Sequence, residues 1–280
     1  MAWVGCALAA LLLLLRPAVV IGAASQACAL FAASVLPGLY PYMILLLLLL
    51  DRLPTNAPFP ALVLLGWGAG SPCGARICAA RDASLPPRQQ KRLLICCGTM
   101  SPMFLYGTLG QWLHNGTAGL CILLAVLSGG LAVSALIRCG KDVPSSRPQA
   151  LASPPLTLGT AVEKASVTLL TVCGCMVLGN VFSALLPALF PALPAQAQLA
   201  VSCLLEVTTA SKALAALPVP LPLRVALLSG ETGFGALAIL MQNRALGPQG
   251  VWSLPQQLGF QLLHGLVSAL LGYALALLLL

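Results

Sequence analysis

The chain has 280 residues, 59% of them hydrophobic and 7% charged, with a net charge of +8 and a mean hydropathy of +0.98. A soluble domain carries about 25% charged residues, and 14 Lys and Arg with 6 Asp and Glu cannot clothe a 28.7 kDa surface. A water-soluble domain is therefore excluded, and so is disorder, which needs few apolar residues and much charge.

What fits is an all-α polytopic membrane protein, since a span needs about 20 apolar residues. The excess of Lys and Arg is read as loops held on the cytoplasmic side. Aromatics make up 5% and interleave with no basic face, which argues against nucleic acid as a partner. The 11 cysteines are an odd number, so they cannot all pair, and most lie in apolar runs where Cys acts as a small hydrophobe. His114 and His264 are far apart and Cys96-Cys97 is not a ligand spacing, so no metal site or cofactor is expected.

In chain order, Met1–Leu15 is an apolar run ending at Arg16-Pro17. It lacks the basic start of a signal peptide and is read as a retained first membrane helix. The block from Ala18 to Leu50 is interrupted by Pro37 and Pro41, which predicts a broken helix. Ala61–Leu65 is too short to span and runs into Gly66–Arg76, whose glycines, Gly70 and Gly74 among them, predict a re-entrant hairpin or discontinuous helix. This stretch lacks the spacing of a phosphate-binding loop.

Arg81, Asp82, Arg88, Lys91 and Arg92 form a basic connector, and Leu93–Trp112 is apolar but interrupted at Gly98–Pro102. His114-Asn115-Gly116 signals a turn before the span Ala118–Ile137. Cys139–Leu158 is polar and rich in Pro and Ser. Three units follow: residues 1–138 as a first membrane half, 139–158 as a linker, and 159–280 as a second half. In the second half Thr160–Leu186 is a span and Leu186–Gln198 a Pro/Ala loop. Ala200–Glu206 is again short, Leu223–Ala245 is broken around Gly230 and Gly233, and Leu258–Leu280 closes the chain as a span.

Three pieces recur in the same order in both halves. Leu36–Pro41 resembles Leu186–Pro191, the Ser/Thr/Gly-rich turn with Arg76 resembles that with Lys212, and Arg92–Leu105 aligns with Arg224–Leu237. Paired short, Gly/Pro-interrupted segments are the best sequence pointer to a transporter site. A discontinuous helix directs unsatisfied N–H groups inward, where they suit an anion. The expected substrate-binding residues are Ser71, Arg76, Thr99 and Ser101 in the first half. In the second they are Glu206, Thr208, Thr209, Lys212, Glu231, Thr232 and Gln242. The expected hinges are Pro37, Pro41, Gly70, Gly74, Gly98, Pro102, Gly230 and Gly233. Ionisable groups in apolar segments are functional by default, which singles out Glu206 and Glu231.

Gly70-Ser-Pro-Cys-Gly-Ala-Arg76, the basic connector and Leu94–Gly107 resemble the first half of the YlbJ/SpoVV sporulation integral membrane proteins. Leu205–Lys212, Gly233–Gln242 and Leu36–Tyr42 also fit that family, in the right order. Cys97-Gly98-Thr99 stands where the family pattern expects asparagines, and Ala236–Ala238 lacks an expected serine. The resemblance implies a gate or nucleoside-recognition domain, with two inverted repeats as in concentrative nucleoside transporters. It further implies a small organic anion as substrate, dipicolinic acid, moved across the outer forespore membrane during sporulation. A nucleoside-type carrier, in which Glu206 and Glu231 bind a cation or ribose hydroxyls, is the alternative, as is a membrane scaffold of the spore envelope. No nucleophile–base pairing points to an enzyme.

Overall fold

The computed structural model describes residues 2–82, 84–137 and 155–280. The expected linker lies outside the described residues as far as 154, together with Arg138, Lys141 and Arg147. All regular structure among the described residues is helical. Five helices are long and apolar enough to cross a bilayer: Pro17–Arg52, Gly116–Ala135, Leu158–Leu189, Leu221–Leu246 and Leu254–Leu279. The protein is a helical integral membrane protein.

α1 (Ala2–Leu15) is helical, but its 14 residues fall short of the ~20 a span requires. The chain leaves helical geometry at Arg16, and Pro17 opens the next helix. Pro37 and Pro41 do not break that helix. α2 (Pro17–Leu30) passes through a π-helical segment, Phe31–Val35, into α3 (Leu36–Arg52). A proline removes one hydrogen bond and collides with the carbonyl four residues earlier, and a π turn directly upstream widens the coil there. The hinge expected at these prolines is thereby corrected to a continuous helix of 36 residues.

α4 (Phe59–Ala69) and α5 (Cys73–Ala80) form a helical hairpin. Arg81, at the end of α5, donates to the carbonyls of Leu50, Leu53 and Pro54 (3.3, 2.7 and 2.9 Å), which lie just before α4 begins. The hairpin thus leaves on the side it entered, and its tip is Gly70-Ser71-Pro72, with the Ser71–Pro72 peptide cis. α6 (Pro87–Cys96) is followed by an irregular stretch through Pro102, a π segment (Met103–Thr108) and α7 (Leu109–Trp112). α8 (Gly116–Ala135) starts where Asn115 accepts from the Ala118 amide at 2.9 Å. His114 precedes it at positive φ, as the turn signal predicts.

In the second half α9 (Leu158–Leu189) is followed by α10 (Ala195–Leu205), α11 (Val207–Ala215), α12 (Leu221–Phe234), α13 (Ala236–Leu246) and α14 (Leu254–Leu279). Here too the expected hinges shift. Gly230 and Gly233 lie inside α12, and the break falls at Gly235, at φ 77°. A Cβ on Gly233 would stand 2.6 Å from the Ser268 hydroxyl, and one on Gly230 3.1 Å from the Ala269 methyl. These two glycines let α12 and α14 approach closely, the use small residues have between membrane helices. Gly74 likewise packs against Cys97 within α5. The two proline blocks differ in place, Pro37 and Pro41 standing mid-helix while Pro187 is near the end of α9 and Pro191 beyond it.

α12, α14 and α8 pack as one bundle, and α9 packs along α2 and α3, with the short helices between. The outward sides carry exposed Leu262, Leu266 and Leu270 of α14 and Leu170 of α9, an apolar surface suited to acyl chains.

Candidate functional site at the helix breaks

The hairpin tip, the break after α6 and the α10–α11 junction meet around one small cavity. Gly70 reaches φ +73° at the end of α4, and its Cα lies close against the Met100–Ser101 backbone. The Ser71 amide donates to the Thr99 carbonyl at 2.6 Å, joining tip to break. Ser71 Oγ then donates to Gln242 Oε1 on α13 at 3.3 Å, a bond between the two halves of the chain. Ser101 accepts from the Phe104 amide at 3.3 Å and so caps the π segment behind it.

Glu206 is the junction itself. Its backbone is extended between α10 and α11, and its side chain is 1% exposed. Oε1 accepts from the Thr208 amide at 2.9 Å and Oε2 from the Thr209 amide at 2.6 Å. A carboxylate at a helix N-terminus satisfies orphan donors and opposes the positive end of the dipole. Gly179 on α9 admits this turn, since a Cβ there would stand 2.9 Å from the Leu205 carbonyl.

Five expected residues therefore converge: Ser71, Ser101, Glu206, Thr208 and Gln242 line the cavity. Thr99 contributes its carbonyl, and its side chain bonds the Met100 carbonyl at 3.3 Å. The other expected residues lie elsewhere. Arg76 is half-buried behind the tip and Lys212 is exposed, and neither lines the cavity. The expectation of two cations facing the bound solute is corrected to this extent: both sit on the helix turns that follow the breaks, outside the cavity lining. Thr209 is partly buried and gives its amide to Glu206. Thr232 bonds the Leu228 carbonyl within α12 at 2.7 Å. Glu231 lines a separate groove between α12 and α14. The expected free helix N-terminus at α11 is also corrected, because Glu206 already fills it.

The apolar wall was not foreseen. Only Val172 and Met176 of this wall come from a stretch read as an unbroken span, while Val35, Leu39, Phe104 and Ile239 lie in stretches read as interrupted. Val35 ends the π segment. The cavity measures about 20 Å³, room for one water. Among the described residues no three His, Cys, Asp or Glu side chains gather as metal ligands.

Compared with known families, curated proteins and solved structures, the chain matches none.

Proposed function

We propose that the chain is a membrane carrier of a small organic solute, bound where the helix breaks cross. The observation that carries this is the Ser71–Gln242 bond beside buried Glu206, a polar centre linking both halves inside an otherwise apolar helix assembly. Irregular backbone and polar groups inside a membrane protein belong to pathways and sites.

The two halves are read as a repeat. Each has a long helix, an 11-residue helix (Phe59–Ala69 or Ala195–Leu205), a break, a short helix, a proline-led helix, a second break and a closing helix. Arg76 follows Gly70 at the same distance as Lys212 follows Glu206. This order supports the likeness to concentrative nucleoside transporters that the YlbJ/SpoVV resemblance implies.

The lining favours a solute that donates hydrogen bonds, as a nucleoside does. Glu206 and Gln242 offer acceptors, and the apolar wall suits a flat ring. Dipicolinate, moved across a spore membrane, is the reading the family resemblance supplies. Arg76, half-buried one turn beyond the hairpin tip, would be the counter-charge on that reading.

Uptake of labelled uridine and dipicolinate into proteoliposomes, with Gln242→Ala, Glu206→Gln and Arg76→Ala, separates the two. Saturable uridine uptake lost in Gln242→Ala and Glu206→Gln supports the nucleoside-type carrier. Dipicolinate uptake lost in Arg76→Ala supports the anion carrier. Uptake of neither by folded protein refutes both and leaves a scaffold.

A further inference from the structure

Between α12 and α14 a groove opens on the outer face of the bundle, with about 570 Å³ of space. That volume is within the range of small-molecule sites, ~300–1,000 Å³. Its walls are apolar: Leu223, Leu227, Leu262, Leu266 and Leu270, with Phe234. Gly230 and Gly265 form the floor, where a Cβ on Gly265 would stand 2.8 Å from the Gly230 carbonyl.

One ionisable group interrupts this surface. Glu231 is 7% exposed, lines the groove, and its Oε1 has no hydrogen-bond partner. The Cys203 thiol of α10 hydrogen-bonds this carboxyl group. Tyr273 of α14 stands at the groove's edge, and Glu206, beyond α10, is the nearest second carboxylate. His264, next to Gly265 on α14, faces the other way and bonds the Val126 carbonyl at 2.9 Å. No cation lines the groove among the described residues. Arg224 of α12 bonds the Ala215 carbonyl at 3.2 Å.

A carboxyl group beneath an apolar groove, with a thiol as its partner, is costly to ionise unless a cation pairs with it. We propose that this groove binds an apolar molecule bearing one protonated amine. The ammonium pairs with the Glu231 carboxyl group, and the hydrocarbon tail lies along the leucines of α12 and α14. Charge complementarity selects the amine, and the open apolar wall selects a ligand that arrives through the bilayer. The site is distinct from the cavity at the helix breaks and does not rest on the carrier reading.

The test uses the full-length protein in phosphatidylcholine nanodiscs. The probe is a dansyl-labelled long-chain primary amine, with the matching alcohol as control. Saturable amine binding above empty nanodiscs is expected, at least tenfold weaker in Glu231→Gln, with no saturable binding of the alcohol. Leu266→Trp, at the exposed rim, keeps the carboxylate but fills the groove, and it too should weaken amine binding at least tenfold. Equal binding of amine and alcohol overturns the proposal. So does unchanged amine affinity in Glu231→Gln or Leu266→Trp, or the absence of saturable amine binding. Should Glu231→Gln fail to fold, Leu266→Trp decides alone.

Discussion

Gly70→Ala is the sharpest perturbation of the hairpin tip. Gly70 has φ 73° and ψ −164°, a region open essentially to glycine alone. Holding alanine there costs about 1–3 kcal/mol. The new methyl would also stand 2.4 Å from the Ser101 amide nitrogen, 2.6 Å from its Cα and 2.8 Å from the Met100 carbonyl carbon. All three atoms are backbone, so no side chain can swing aside. Either the tip or the 97–102 break must move, at an overpacking cost of about 1–3 kcal/mol. The sum is about 2–6 kcal/mol. Gly68→Ala is the internal control, because nothing lies within 4 Å of its Cβ position inside α4. That change should be neutral or stabilise by about 0.5–1 kcal/mol. Thermal unfolding in detergent reads both, and at roughly 2–4 °C per kcal/mol Gly70→Ala should lower Tm by at least ~4 °C. Equal melting of the two variants would refute the close approach of tip and break. Solute uptake should fall with Gly70→Ala and persist with Gly68→Ala.

Glu206→Ala leaves the Thr208 and Thr209 amides without their acceptor and should destabilise by about 1–2 kcal/mol, read by thermal unfolding. Arg81→Met keeps the aliphatic stem but loses three carbonyl partners, for about 1.5–3 kcal/mol at one charged hydrogen bond's worth. Limited proteolysis should then cut faster between Leu53 and Phe59. Asn180 donates to the Ala23 carbonyl at 2.8 Å and ties α9 to α2, so Asn180→Leu should cost about 0.6–1.7 kcal/mol in thermal unfolding. Gly272→Ala drives a methyl to 2.8 Å from Ser229 Cβ, with Ser229 Oγ nearer still, and should cost about 1–3 kcal/mol by the same measurement.

Breaks were legible where glycine and proline cluster in a short apolar piece. Gly70-Ser71-Pro72 and Gly98–Pro102 both fall at real interruptions, because neither stretch is long enough to satisfy its own backbone as a span. Single prolines in long apolar helices were misleading. Pro37 and Pro41 are carried by the π turn before them, a feature with no residue signature of its own. The glycines at 230 and 233 read as a break because helix propensity disfavours them, yet in a membrane bundle a small residue also serves close packing. Sequence alone gives both uses the same letter, and the contact with Ser268 and Ala269 tells them apart. Polar residues near a break were found, but their direction was not. A shift of one position turns a helical side chain out of the cavity, as Thr208, which lines it, and Thr209, which does not, show.

On the carrier reading, the placement of the charges would decide which solute the cavity prefers. An inward helix N-terminus is attractive to an anion because its N–H groups lack partners. At α11 those partners are supplied by Glu206 from the same chain, so the attraction is spent within the protein. A dicarboxylate reaching this cavity would meet a buried carboxylate and two serines, with Arg76 a turn away and Lys212 outside. Like charges close together inside a low-dielectric site repel strongly. A solute that donates hydrogen bonds meets the same surface as an acceptor array and gains from it. For an anion to bind, the hairpin would have to carry Arg76 toward the tip as it opens. Glu206→Gln separates these cases: it removes the repulsion while keeping one amide acceptor. Anion uptake that rises in this variant, with uridine uptake lost, would show that the carboxylate sets the selectivity.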